Sequence, residues 1–359
     1  MAAGIADAQL DADPAFELSE QSDRSVKPLL QLSAAQGSSG DCTGAGHSHR
    51  SVSAMNTPSL SRREFLKTGA AALATASLGI PLGLRAAAAP GYGGNKLPFG
   101  IQLWTVRGAF MVEPEATLNK LASLGLKGIE FYTAFPGGRD AKAMRAMLDR
   151  AGLTAVGYHI GGLHTMSDDA LKREIETNQI IGNTRLGVSF TQVGDGPFNS
   201  AAKTTTAKRQ DWEAIADKFS ALAAKLKSHG MATYYHCHVA DFARIDGETC
   251  WDIFFSRASQ DAFMQIDLGH MGTAGIDQIA TMKKFPGRAK TVHVKPANGG
   301  DGRLVGDLND GNLAKWPSLF AACEDPKIGG TEWYILEYDG GSMEQVEGTV
   351  ARLKEWGKI

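Results

Sequence analysis

From Leu97 to its end the chain alternates strand-like and helix-like segments, and this alternation constrains the fold more than any other feature. Strand patterns cover Phe99–Val106, Gly128–Thr133, Thr154–Ile160, Arg185–Phe190, Ala232–Val239, Phe263–His270, Ala289–Pro296 and Trp333–Tyr338. Amphipathic stretches lie between them: Glu115–Leu124, Ala141–Ala151, Asp169–Ile181, Asp211–His229, Ile276–Lys284, Trp316–Cys323 and Met343–Trp356. Gly125, Gly152, Gly182 and Gly230 stand where residues that tolerate positive φ end helices. Eight such units within residues 97–359 match the size of a (β/α)8 TIM barrel. An open doubly wound sheet competes with this reading. It often carries a Gly-rich phosphate loop after its first strand, where this chain reads Arg107-Gly108-Ala109-Phe110. The long Thr191–Ala207 connection is expected to be an active-site loop.

Each of the last four strand patterns carries a metal-capable side chain: His236, Asp267, His293 and Glu337. They lie 31, 26 and 44 residues apart, and a βα unit takes about 30 residues. They are therefore expected at one level of four successive strands, as a metal site with room for catalysis. Two carboxylates and two imidazoles suit one divalent metal, manganese or zinc first and iron next, better than magnesium or calcium. His236 and His238 are two residues apart, so in a strand they share one face with Tyr234, while Tyr235 and Cys237 face the helices.

Each residue also has a structural alternative. His236 and His238 would be packed core histidines, Asp267 a helix or turn cap, His293 a satisfied core histidine, and Glu337 the partner of Lys295. All four together at matching positions would bury costly unpaired charge.

The composition is that of an ordinary soluble globular chain, 43% hydrophobic and 21% charged with a net charge of −2. Nothing in it favours nucleic acid or an acidic membrane. Cys42, Cys237, Cys250 and Cys323 show no zinc-finger spacing and no disulfide framework, and Cys237 is expected as a buried free thiol.

Residues 61–67, Ser-Arg-Arg-Glu-Phe-Leu-Lys, resemble the twin-arginine export signal. A mild apolar run, Gly69–Leu84, follows; it is too short for a transmembrane helix, and Ala86-Ala87-Ala88 supplies small residues for cleavage. Residues 55–88 thus read as a signal peptide that starts at Met55. Residues 1–54, polar and without hydrophobic periodicity, read as a disordered extension upstream of that start. The expectation is a protein handed folded to the twin-arginine translocation machinery and released to the periplasm or medium without stable membrane insertion.

From about Phe99 to Trp356 the chain resembles the sugar phosphate isomerase/epimerase family with the xylose isomerase-like barrel. The motifs are Gly100-Ile101-Gln102-Leu103-Trp104-Thr105-Val106-Arg107, Gly128-Ile129-Glu130-Phe131, Tyr235-His236-Cys237-His238, His293-Val294-Lys295 and Glu337-Tyr338-Asp339-Gly340. The resemblance implies one divalent metal held from strands five to eight, commonly by Glu, Asp, His and Glu. Asp267, His293 and Glu337 match the last three, but strand five offers His236, and Pro296 stands where many relatives carry Asp.

An enolising enzyme needs a metal to polarise a carbonyl, a base and an acid. Glu337 is expected as base, with His236 or His238 as second proton carrier. Glu130 and His159 are expected to hold substrate hydroxyls, Lys295 an oxyanion, and Trp104 to stack on a sugar ring. His164 and His270 are assigned loop or surface roles. The expected activity is isomerisation or epimerisation of an unphosphorylated carbohydrate or polyol, by proton transfer next to a carbonyl. A 3-keto-glycoside lyase or dehydratase sharing the metal site is the first alternative, and the missing strand-five Glu favours it. A non-catalytic carbohydrate-binding protein is the second. Endonuclease IV-like DNA repair would need more metal ligands and a basic surface.

Overall fold

Eight short parallel strands close into a barrel in the computed structural model, which describes residues 96–132, 135–136, 139–189, 193, 201–296 and 316–359. The strands are β1 Phe99–Gln102, β2 Gly128–Phe131, β3 Thr154–His159, β4 Arg185–Val188, β5 Ala232–His236, β6 Ala262–Asp267, β7 Thr291–Val294 and β8 Trp333–Leu336. Each pairs with the next, and β8 closes on β1. The expected (β/α)8 barrel is therefore the fold. The expected extension 1–54 and signal peptide 55–88 lie outside the described residues, as does most of the Thr191–Ala207 connection. Among the described residues no helix is long and apolar enough to cross a membrane.

Several strands stop earlier than their apolar patterns, because a polar side chain at the strand end starts a helix. Gln102 accepts a hydrogen bond from the backbone of Trp104, and Leu103–Val106 coils as a 3-10 turn. Asp267 accepts from the His270 backbone N–H at 2.7 Å and caps the helix Leu268–Thr273. The helix Cys250–Arg257 follows a two-residue hairpin and has no counterpart among the amphipathic stretches of the sequence. Trp251, Ile253, Phe254 and Phe255 are all buried in it, so it carries no one-sided stripe.

Outward-facing residues such as Ile129, Tyr235, Ile266, Val292 and Leu336 join one apolar core beneath the helices. Each fully buried large aliphatic or aromatic chain contributes about 1.5–3 kcal/mol. Many inward positions are polar instead: Gln102, Glu130, His159, Gln265, Thr291 and His293, with Tyr234 among them. Two glycines make the room. A Cβ at Gly157 would lie 2.5 Å from Glu130 Oε1 and 2.7 Å from the Tyr234 hydroxyl, and one at Gly187 would lie 2.0 Å from the Tyr234 ring. Cys237, Cys250 and Cys323 are buried free thiols.

The ladder register changes the picture of one level. His236 pairs with Gln265 and not with Asp267; Asp267 pairs with His293, and His293 with Ile335. From His236 to Glu337 the set climbs two residues twice. Strands tilted by about 36° to the barrel axis require such a climb if side chains are to meet at one height.

Candidate active site

At the mouth, the donors of the last four strands converge. His293 Nδ1 lies 2.9 Å from Glu337 Oε2 and 3.9 Å from Asp267 Oδ2, and His236 Nε2 lies 3.9 Å from Glu337 Oε2. Among the described residues three groupings could hold a metal ion: His159, His236 and His293; His236, His238 and His270; and His236, Asp267, His270 and Glu337. The ligand atoms of each group lie within 4.8 Å of one another.

The buried polar atoms test whether a cation suits this place. Asp267 Oδ2 and His236 Nδ1 are buried with no hydrogen-bond partner. A buried acceptor without a donor is costly, and a divalent cation among mixed nitrogen and oxygen donors would remove that cost for Asp267 Oδ2; His236, which faces Glu337 through Nε2, can offer a single cation only one of its ring nitrogens. The nearest protein cation is Lys295, whose Nζ lies 3.7 Å from Asp267 Oδ2, 3.6 Å from Glu337 Oε2 and 2.7 Å from Asp339 Oδ1. The caps and ion pairs weighed as alternatives are thus present too: Asp267 caps a helix with one oxygen and turns the other to the mouth.

Charge states follow from burial and neighbours. Burial holds His236 well below the usual imidazole range, reinforced by the charge of His293. It does the same to His238, with His270 and Lys295 adding to it. His270 is pushed down to about 4 by burial, then by Lys295. These three rings are neutral near pH 7 and present lone pairs. His293 behaves oppositely. Burial lowers it, but Glu337 and Glu130 outweigh burial and raise it to about 10. Burial raises Asp267, against the pull of Lys295 and with the push of Glu337. Burial would also raise Glu337, yet Lys295 and His293 hold it well below the carboxylate range.

A cavity of about 760 Å³ opens above these groups. Trp104, His159, His236, His238, His270, Lys295 and Glu337 are among its walls, together with Ala201 from the long connection. Trp104 meets Tyr132 edge-on at 5.2 Å, and the Arg107 guanidinium sits 4.1 Å from the Trp104 ring. His238 is not on the strand, which ends at His236; it caps the next turn, and its backbone N–H donates to Asp241 Oδ2. Its ring still reaches the mouth, 4.9 Å from His236 and 4.6 Å from His270.

Two sequence assignments change. His270 is a mouth residue and not a surface one, with Nε2 3.0 Å from Lys295 Nζ. The signal was its position three residues after Asp267, the spacing of a cap and the first turn it starts. His164, by contrast, does sit on a short 3-10 turn after β3, stacked on Phe219. Glu130 lies beneath the cavity, 1% exposed, and is not among its walls. Its Oε1 accepts from the Tyr234 hydroxyl at 2.8 Å and Gln265 Nε2 at 2.6 Å. Its Oε2 accepts from Gln102 Nε2 at 2.9 Å and pairs with His293 Nε2 at 2.7 Å. Burial opposes ionisation of Glu130, but His159 and His293 prevail and hold it down at about 2. Gln102 and Gln265, which complete this layer, were missed; their signal was an amide inside an otherwise apolar strand run.

Residues 118–357 match the family model described as xylose isomerase-like TIM barrel. A rhizopine catabolism protein, MocC, of Rhizobium meliloti is 25% identical over 192 residues, 52% of this chain and 58% of that protein. An inosose dehydratase of Clostridium perfringens is 22% identical over 50% of this chain and 63% of its own length. The chain therefore spans less than two thirds of these relatives. Among solved structures, a sugar phosphate isomerase/epimerase from Parabacteroides distasonis superposes with a TM-score of 0.58 at 16% identity, covering 73% of this chain and 97% of the other. A D-allulose 3-epimerase from Methylomonas sp., in complex with D-allulose, gives 0.53 at 16% identity, over 74% and 97%. At such identities the likeness is one of fold.

Proposed function

The chain belongs to the xylose isomerase-like TIM barrel family, and on that premise we propose that it is a metal-dependent lyase acting on an unphosphorylated keto-sugar or keto-polyol. It takes a proton from the carbon beside the carbonyl and expels the oxygen substituent on the next carbon. The names of the dehydratase relatives support elimination. The observation that carries the reading is the asymmetry of the mouth. Among its described walls Glu337 is the one buried carboxylate, faced by imidazoles and Lys295; the other carboxylate, Asp339, is 53% exposed in its side chain and tied to Lys295. Epimerisation needs a matched second base on the opposite face of the carbon, whereas elimination needs one base and a route for its proton.

His236, Asp267 and Glu337, three members of the third grouping, would hold the metal, with His293 Nδ1, 2.9 Å from Glu337 and 3.9 Å from Asp267, as fourth donor in place of His270; when bound it would polarise the carbonyl and the neighbouring hydroxyl. The Glu337 carboxylate takes the proton as the C–H bond breaks. Lys295 holds the oxyanion that develops on the carbonyl oxygen. His238 and His270 are neutral, so either ring accepts the proton of Glu337 at one nitrogen and releases another to the leaving oxygen as the C–O bond breaks. His159 and Trp104 line the remaining walls for hydroxyls and a sugar face.

Purified protein with Mn²⁺ in deuterated buffer, given an inosose, a 3-keto-glycoside and a free ketose in turn, tests this. Loss of water or of the aglycone with growth of an enone absorbance is expected. Deuterium exchange into a ketose without elimination would establish the epimerase reading instead. Sugar binding without metal or turnover would leave a binding protein. We also propose export by the twin-arginine route; replacing Arg62 and Arg63 together by Lys should retain the protein in the cytoplasm, and unchanged export would overturn this.

A further inference from the structure

We infer that Glu130 is the positioning carboxylate of the mouth: it keeps a proton of His293 on Nε2, so that Nδ1, facing Asp267 and Glu337, is the nitrogen that gives up its proton when a metal binds. This rests on the metal reading of the proposed function. His293 touches a carboxylate through each ring nitrogen, Glu130 at 2.7 Å below and Glu337 at 2.9 Å above. The two contacts differ in kind. The Glu337 side opens onto the cavity and the unpartnered Asp267 Oδ2, whereas the Glu130 side is closed.

A carboxylate offers about four lone-pair directions, and Glu130 uses them on Gln102, Tyr234, Gln265 and His293. No direction is left for a substrate hydroxyl, and the cavity does not reach this side chain. The layer admits no slack. Gln265 Nε2 also donates to Thr291 Oγ1 at 3.0 Å, and its Oε1 lies 2.8 Å from His159 Nε2. Gly157 keeps open the space that Glu130 and Tyr234 fill. Glu130 is thus held from several strands and in turn holds one imidazole. A carboxylate behind a ligating histidine sets its tautomer and raises its basicity, and its loss commonly weakens metal affinity about 10–100-fold.

The test uses Glu130→Gln and the charge-keeping Glu130→Asp, both checked for folding by circular dichroism. In the metal-free protein, proton NMR should show a strongly downfield His293 Nε2–H resonance in the wild type, retained in Glu130→Asp and lost in Glu130→Gln. Titration with Zn²⁺ alone should show affinity falling about 10–100-fold in Glu130→Gln, with Glu130→Asp recovering part of it. A wild type without the resonance overturns the inference, as does zinc affinity in Glu130→Gln within twofold of wild type. If Glu130→Gln fails to fold, the wild-type resonance and the zinc affinity of Glu130→Asp decide instead: an affinity below wild type supports the inference, and one equal to wild type with no resonance overturns it. Unchanged zinc affinity in both variants with a raised substrate KM would return Glu130 to a substrate role. A wild type that shows the resonance but takes up no zinc sinks the metal reading while the Glu130–His293 assignment stands.

Discussion

Two polar layers cross the barrel one above the other, and they differ in how completely they are satisfied. In the lower layer Glu130 meets a partner in every lone-pair direction, and Gln102, Gln265 and Tyr234 serve it. In the upper layer Asp267 Oδ2 and His236 Nδ1 are equally buried and lack a hydrogen-bond partner. Folding alone does not favour such atoms. A saturated polar layer is a structural part, and the unsaturated one fits the metal proposed for it.

The contrast breaks most sharply by activity. Glu337→Gln should lower kcat on the keto substrate about 10³-fold, in the range for loss of a general base. Wild-type turnover in this variant would remove Glu337 from the chemistry. Next in size, Glu130→Ala should destabilise the fold by about 3–5 kcal/mol, the cost of stripping one partner from a buried charged network. Urea unfolding reads this; a change below about 1 kcal/mol would mean that the lower layer is not the structural one.

Removal of metal with a chelator should come third. At a hundredfold excess of metal over its Kd, binding adds about 2.7 kcal/mol. A melting temperature unchanged by chelation and by restored Mn²⁺ or Zn²⁺ would show that the upper layer is stable as it stands. The smallest effect serves as a control outside both layers. Burial, then Lys218, pushes His164 down to about 4, whereas the unfolded ring titrates near 6.5. The unfolded chain thus binds more protons between those values, and stability falls as pH drops through that window. Melting curves of wild type and His164→Phe should diverge by a few degrees below about pH 6, the wild type falling faster.

The sequence made the barrel legible because eight apolar runs alternate with helical stripes, and it made the upper layer legible because His236, Asp267, His293 and Glu337 stand out in such runs. Its rule of alternation also placed Tyr234 inside and Tyr235 outside, as the partners Glu130 and Asp241 show. What it hid was local and geometric. The stagger of tilted strands turned one expected level into a stair. His238 owes its place to the capping of Asp241 and not to a strand. His270 came into the mouth because the strand stops at Asp267, which caps a helix starting at Leu268, where the strand pattern ran on to His270. Glu130 looked like a mouth residue because its polarity was visible, while the amides that saturate it were not weighed.

Gly157 and Gly187 impose an order on the history of this interior. Neither can gain even a methyl group while Tyr234 keeps its ring and hydroxyl where they are. Substitutions here are therefore not independent draws: position 234 must shrink first, and Glu130 loses a partner at that moment. Descendants that reshape the barrel floor must pass through that weakened intermediate, so the floor should drift far more slowly than the mouth above it.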